Sequence, residues 1–349
     1  PIAVTYIYTV TANGCPNPGP FNVVVNVNPT PSLSSGLSPP AICSSGVAVN
    51  FNYTATSATV GATFQWTRAG VAGISQVGVG PIASGVVAEM LTNTTTAPVN
   101  VTYAFVSSFA GCNNPQNVVV TVNPTPILSS SLTPPAICSS TAFIYTPTSA
   151  TVGAAFTWSR AAVVGITEAA TAGASNVNET LTNTTTAPIN VTYFYTTTAN
   201  GCPNAGQNVV VVVNPIPVLS STLSPPDICS ATVFNYAPTS ATAGATFAWT
   251  RAVVAGISQG ASLGSTGGGN ADPNELLTNT TTAPISVTYV YITTANGCSN
   301  LGQNVAVNVN PLPVLNSTLT PPAVCSLSNF NYVPTSATIG ATFAWTRAC

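Results

Sequence analysis

The sequence predicts an all-β chain of tandem antiparallel β-sandwiches, stacked end to end as a rod. Three observations carry that expectation. Whole phrases return about every 94 residues, the mark of a repeat architecture. Val-Asn-Pro ends at Pro29, Pro124, Pro215 and Pro311, and Phe-x-Trp-x-Arg recurs around Trp66, Trp158, Trp249 and Trp345. Short β-branched and aromatic runs alternate with Gly, Pro, Asn and Ser, as strands alternate with turns. No stretch shows a helical period.

The unit from Thr125 to Pro215 shows its elements in order. Phe143-Ile-Tyr-Thr and Ala155 to Arg160 are short β-prone runs. Val191-Thr-Tyr-Phe-Tyr-Thr alternates apolar and polar residues, and Val209 to Val213 is β-branched throughout. Comparison between repeats assigns the faces. Val23, Val25 and Val27, like Val305, Val307 and Val309, should face the core, with Asn26 and Asn308 opposite. Val4, Tyr6 and Tyr8 share one face, as do Val101, Tyr103 and Phe105. Ala-Asn-Gly-Cys at 12–15, 199–202 and 295–298 marks a tight hairpin, because Asn and Gly both accept positive φ. Val-Asn-Pro-x-Pro marks each boundary, and its alternate prolines predict a stiff, extended linker.

These signals divide the chain into a partial unit over 1–29 (the last two strands) and full units over 30–124, 125–215 and 216–311. A partial unit over 312–349 (the first strands) follows. The expectation is a stretch cut from a longer repeat protein.

Charge removes whole classes of function. The 349 residues include four Arg, six acids, no Lys and no His; charged residues make up 3% and hydrophobic ones 45%. No basic patch exists for nucleic acid or for an anionic membrane surface. No apolar run approaches the ~20 residues of a spanning helix, so this segment is not expected to enter a membrane. Without His, a Ser-His-Asp or Cys-His arrangement is impossible. Glu168 with Glu179, and Asp272 with Glu275, are the only carboxylate pairs near in sequence, and neither recurs in every unit. The cysteines lack zinc-site spacing. No catalytic, cofactor or metal site is therefore expected, and the chain is read as not an enzyme. The insertion over 267–275 carries enough oxygen for calcium, but reads as a surface loop. Asn-x-Ser/Thr sequons stand at Asn52, Asn93, Asn100, Asn178, Asn183, Asn190, Asn279 and Asn316, many of them expected by chance in so Asn- and Thr-rich a chain.

A core Trp on the third strand with flanking cysteines points to an immunoglobulin-like sandwich. More narrowly, the chain resembles the PKD-like and Ig-like repeats of giant surface adhesins or filaments of Bacteroidota. Ile-Cys-Ser at 42–44 and 137–139, Phe-x-Trp at 64–66 and 247–249, Val-Thr-Tyr at 4–6 and 191–193, and Gly-Cys leading into Val-Asn-Pro carry the resemblance, which covers the whole chain. The Trp is followed by Thr-Arg-Ala or Ser-Arg-Ala, where PKD domains proper carry an acidic turn. The resemblance implies an extracellular stalk, at the cell surface or secreted, exported by type IX secretion. Its partners would be neighbouring repeats of the same chain, with lateral self-association of copies possible. The leading reading is a non-catalytic spacer; the alternative is an array in which every repeat binds a glycan or protein.

Three sets of residues are singled out within the units. Trp66, Trp158 and Trp249, with Tyr103, Tyr193 and Tyr289, should form the core. Arg68, Arg160 and Arg251 share parity with those Trp residues and should sit at the rim, each paired with a recurring Glu: Glu89, Glu179 and Glu275. The cysteines leave alternatives open. In an immunoglobulin-like topology, Cys138 and Cys202 lie at opposite poles of one unit, too far apart for a disulfide. A head-to-tail rod would instead bring Cys43 to Cys202 and Cys138 to Cys298 as an interdomain clasp. Within-unit pairing and free thiols are the alternatives. With the clasp, Cys15, Cys112, Cys229 and Cys325 would find partners outside this window, and Cys349 has no assigned role.

Overall fold

The computed structural model describes residues 1–44, 50–265 and 271–348. Among them every regular element is a strand, and no helix is long and apolar enough to cross a membrane. Three sandwiches follow one another along the chain, each around its own core.

The second unit shows the plan. Its large sheet runs, in spatial order, Ile137–Cys138, a valine strand Gln207–Asn214, a tyrosine strand Ile189–Ala199, a tryptophan strand Ala155–Arg160, and an edge strand Thr171–Ala174. Only the first of these pairs parallel; the other pairings are antiparallel. The facing sheet is Thr141–Tyr145 paired with a glutamate strand, Val177–Leu181. Alternation decides which side chains meet between the sheets. Val191, Tyr193 and Tyr195 are fully buried, as are Val209, Val211 and Val213 across the ladder. Each such side chain contributes roughly 1.5–3 kcal/mol by leaving water. Phe143 and Tyr145 reach across to Tyr193 and Tyr195, with ring centroids 5.2 and 5.5 Å apart. Trp158 meets Tyr193 edge-on at 5.5 Å, a favoured aromatic geometry. The other two units repeat the arrangement around Tyr103 with Trp66 and Tyr289 with Trp249. The tyrosine and valine strands run longer than their apolar cores alone suggest, to 11 and 12 residues in the first unit.

Both ends differ from the full units. Ile2–Tyr8 pairs with Phe21–Val27 in the register of a tyrosine and valine strand. Val23, Val25 and Val27, expected to face a core, are 48%, 45% and 53% exposed; the strands alternate as expected, but no second sheet covers them. Residues 312–348 were expected to form the first strands of a further unit, yet among those described no named strand forms. One isolated bridge, Leu315 to Ser336, remains, and Trp345 is 86% exposed. In a full unit the tryptophan strand is held by its tyrosine strand, with Trp158 opposite Tyr195. The C-terminal stretch contains no such partner.

Candidate functional site

The repeated phrases converge on two places in each unit: a buried polar cluster and the junction with the next unit. The cluster begins with the arginine. Arg160 ends the tryptophan strand on the same face as Trp158, and strand parity alone places it at the rim. The structure corrects that: Arg68, Arg160 and Arg251 are among the largest fully buried side chains. The reason is the loop that follows. It folds over the guanidinium, and Arg160 Nη2 donates to Ala169 O at 2.6 Å while Nη1 reaches Ala161 O and Glu168 O. Val77 O and Gly260 O receive Nη2 in the other two units.

Each arginine meets its glutamate through two nitrogens. Nε lies 2.8, 3.0 and 2.7 Å from Glu89, Glu179 and Glu275, and Nη2 donates to the second carboxylate oxygen. This is the bidentate fork that makes Arg–carboxylate pairs strong. Tyr103, Tyr193 and Tyr289 donate their hydroxyls to the same carboxylates. Burial, then the carboxylate itself, pushes these three phenols far above their ordinary range, so they act as permanent donors. The hydrogen bond to Glu179 raises Arg160, against burial, and Glu275 does the same for Arg251. Burial would raise the Glu275 carboxyl, but bonds from Arg251 and Tyr289 outweigh it and hold it below the ordinary carboxylate range. The three phenols, Arg160, Arg251 and Glu275 are each pushed toward one charge state, which suits a strut better than a proton shuttle.

A second buried cluster accounts for a further recurring phrase, Leu-Thr-Asn-Thr-Thr-Thr-Ala-Pro, which starts at Leu91, Leu181 and Leu277. Asn183 Nδ2 donates to Ala187 O and Val213 O, both at 2.8 Å, and Oδ1 accepts from Thr185 N and Oγ1. Its own N–H goes to Ser139 Oγ at 2.9 Å. One side chain thus ties the phrase to the end of the valine strand. Asn93 and Asn279 do the same. The signal available in sequence was recurrence, since the partners are mostly backbone groups. These three sequon asparagines are buried with their amides engaged and cannot carry a glycan in the folded unit; Asn52, Asn100, Asn178, Asn190 and Asn316 are exposed. Gly165, just before Ile166, takes a positive φ of 88°, and a Cβ there would lie 2.7 Å from Thr185 Cγ2.

At the junctions, Cys43 ends a short strand opposite Asn123, where the valine strand leaves the unit. The next unit presents its hairpin, with Asn200 and Gly201 at φ 50° and 76°. Cys202 follows that turn. Its sulfur lies 2.04 Å from that of Cys43, with Cα atoms 5.5 Å apart. Cys138 and Cys298 are bonded in the same way, with Cα atoms 5.6 Å apart; Cys138 is not bonded to Cys202 of its own unit. Beside each bond the linker asparagine caps the hairpin: Asn123 Nδ2 donates to Asn200 O, and Asn214 Nδ2 to Asn296 O. Pro124, Pro126, Pro215 and Pro217 are buried, so these linkers are enclosed within the junction. The first junction has the same cap, Asn28 Nδ2 to Ala110 O at 3.1 Å. Cys15, Cys112, Cys229 and Cys325 are free thiols, and Cys349 lies outside the described residues.

The carboxylates Glu168 and Asp272 accept backbone N–H groups. Glu168 accepts Thr182 N–H at 2.9 Å, as Gln76 and Gln259 accept Thr92 and Thr278 N–H. It is a charged stand-in for an amide, which separates it in role from Glu179. Asp272 gives one oxygen to Tyr236 N–H and Asn274 N–H; residues 267–270 of the same insertion lie outside the described residues. Among the described residues no group of three or more His, Cys, Asp or Glu side chains gathers to hold a metal.

A sequence profile described as the PKD-like domain matches residues 40–126, 135–217 and 226–313. No curated protein matches the chain. Similar solved structures include the I-band fragment I67–I69 from titin, 10% identical, covering 82% of this chain and 100% of that one at a TM-score of 0.38. Human CDH23 EC21–23 is 12% identical and covers 80% of this chain and 100% of that one at 0.33. The three N-terminal domains of the bacteriophage RB49 outer capsid protein Hoc are 10% identical and cover 81% and 99% at 0.36.

Proposed function

This chain belongs to the PKD-like domain family, and on that premise we propose that it is a non-catalytic spacer. In this reading, units over 30–124, 125–215 and 216–311 form the shaft of a long extracellular adhesin or filament. The paired cysteines fit an oxidising, extracellular setting. Each cysteine clasp and capped linker holds one unit in line with the next, which turns a string of domains into a rod. A Bacteroidota cell surface reached by type IX secretion is the setting proposed from the sequence resemblance, with lateral association of shafts part of the same proposal.

The observation that carries this reading is which positions recur. Inward residues of the tyrosine strand repeat closely: Val101, Tyr103 and Phe105; Val191, Tyr193 and Tyr195; Val287, Tyr289 and Tyr291. Beyond the constant Thr102, Thr192 and Thr288, the outward positions two and four residues further on change from unit to unit: Ala104, Phe194 and Val290, then Val106, Thr196 and Ile292. A binding array would keep an exposed cluster in every unit, whereas a spacer keeps core and junction. Electron microscopy of chains with three, six and nine units tests this, paired with a glycan-binding screen. Straight particles that lengthen by a constant step, with no glycan retained, are expected. Saturable binding at one ligand per unit would overturn the spacer reading in favour of an array.

A further inference from the structure

The two disulfides overlap along the chain. Cys43–Cys202 closes one loop and Cys138–Cys298 closes another, so residues 138–202 belong to both. Each enclosed linker, 124–126 and 215–217, lies inside at least one loop. Under tension, the shortest covalent route between the ends does not follow the backbone. It runs from residue 1 to Cys43, crosses to Cys202, returns to Cys138, crosses to Cys298 and continues to residue 349.

We propose that the staggered clasps form a second covalent line through the shaft, which carries tension past both linkers and past the valine strand of the second unit. That unit is loaded in reverse, between its hairpin cysteine and its own first cysteine. A backbone cut in either linker leaves the shaft in one piece. In a longer array with the same pairing, every inner unit is loaded in this way. The purpose assigned here rests on the spacer reading; the route depends only on which sulfurs are joined.

Single-molecule stretching of the full chain, held through enzymatically attached peptide tags at its two ends, tests the route. The oxidised chain should extend to about 56 nm, the length of about 160 residues at ~3.5 Å each. Removing one clasp, with Cys43→Ser/Cys202→Ser or Cys138→Ser/Cys298→Ser, should lengthen it only about 1.2-fold, because the other loop still withholds about 160 residues. Removing both should give about 122 nm, a further ~1.8-fold. That unequal pair of steps is the signature of overlap. Equal steps for the two removals, or an oxidised chain that reaches full length, would overturn the proposal. A second readout places a protease site within 124–126: after cleavage, one band on a non-reducing gel and two after reduction are expected. Two bands without reductant would also overturn it. Ligand binding by each unit would undo the spacer reading without altering any of these lengths, so the two failures are distinguishable.

Discussion

The hairpin Ile2–Val27 and its counterpart Ile189–Asn214 are built from nearly the same residues, yet sit in different surroundings. Val4-Thr-Tyr-Ile-Tyr8 parallels Val191-Thr-Tyr-Phe-Tyr195, and both pair antiparallel with a valine strand in the same register. Tyr6 and Tyr8 are 53% and 54% exposed, whereas Tyr193 and Tyr195 are fully buried. The difference lies across the sandwich. Only the second hairpin faces Phe143 and Tyr145, and only there does a tyrosine find a glutamate. Alternation belongs to a strand; a core belongs to two sheets.

That contrast is open to direct attack. Tyr195→Ala should cost the second unit about 3–5 kcal/mol, whereas Tyr8→Ala, at the same strand position, should change the stability of any unit by under about 0.5 kcal/mol. Chemical denaturation followed by hydrogen exchange across 189–214 reads both; equal effects would collapse the comparison. Glu179→Ala should be as damaging, about 3–5 kcal/mol, because it leaves Arg160 buried without its carboxylate. Asn183→Ala comes next, at about 2–3 kcal/mol, since it removes the amide that donates to Ala187 O and Val213 O, while the exposed sequon change Asn190→Ala should be nearly silent.

These expectations also mark how far the sequence could be read. The inward face of the tyrosine strand was legible because period two is written in the residues themselves. The hairpin was legible because few residues tolerate the φ that Asn200 and Gly201 adopt. The pairing of Arg160 with Glu179 was visible as two rare charges that recur together, but its depth was not. Burial comes from the carbonyls of a loop, and a loop's path leaves no periodic trace. Asn183 was harder still. An asparagine bonded to backbone groups that lie close and far along the chain has no spacing to recognise, and its phrase read as a sequon. The C-terminal stretch keeps the phrases of a unit, yet among its described residues no named strand forms.

Acid should sharpen the contrast more gently. Glu275 has its folded-state pKa lowered, so its contribution is present above the unfolded value, near 4.3, and is lost as pH falls through the folded one. The third unit should melt at progressively lower temperature below about pH 4, in a calorimetric pH series, and Glu275→Gln should flatten that dependence. Smallest of all is Glu168→Gln, expected to shift stability by under about 0.5 kcal/mol, because Gln76 and Gln259 already fill that role. A large loss in that variant would mean Glu168 does something its counterparts do not.

The central claim is that each unit is fastened to its neighbour through sulfur rather than to itself. Mass spectrometric mapping of a pepsin digest of the native, unreduced protein tests it most directly. Linked peptides containing Cys43 with Cys202, and Cys138 with Cys298, are the result expected. A linked pair of Cys138 with Cys202 would contradict it.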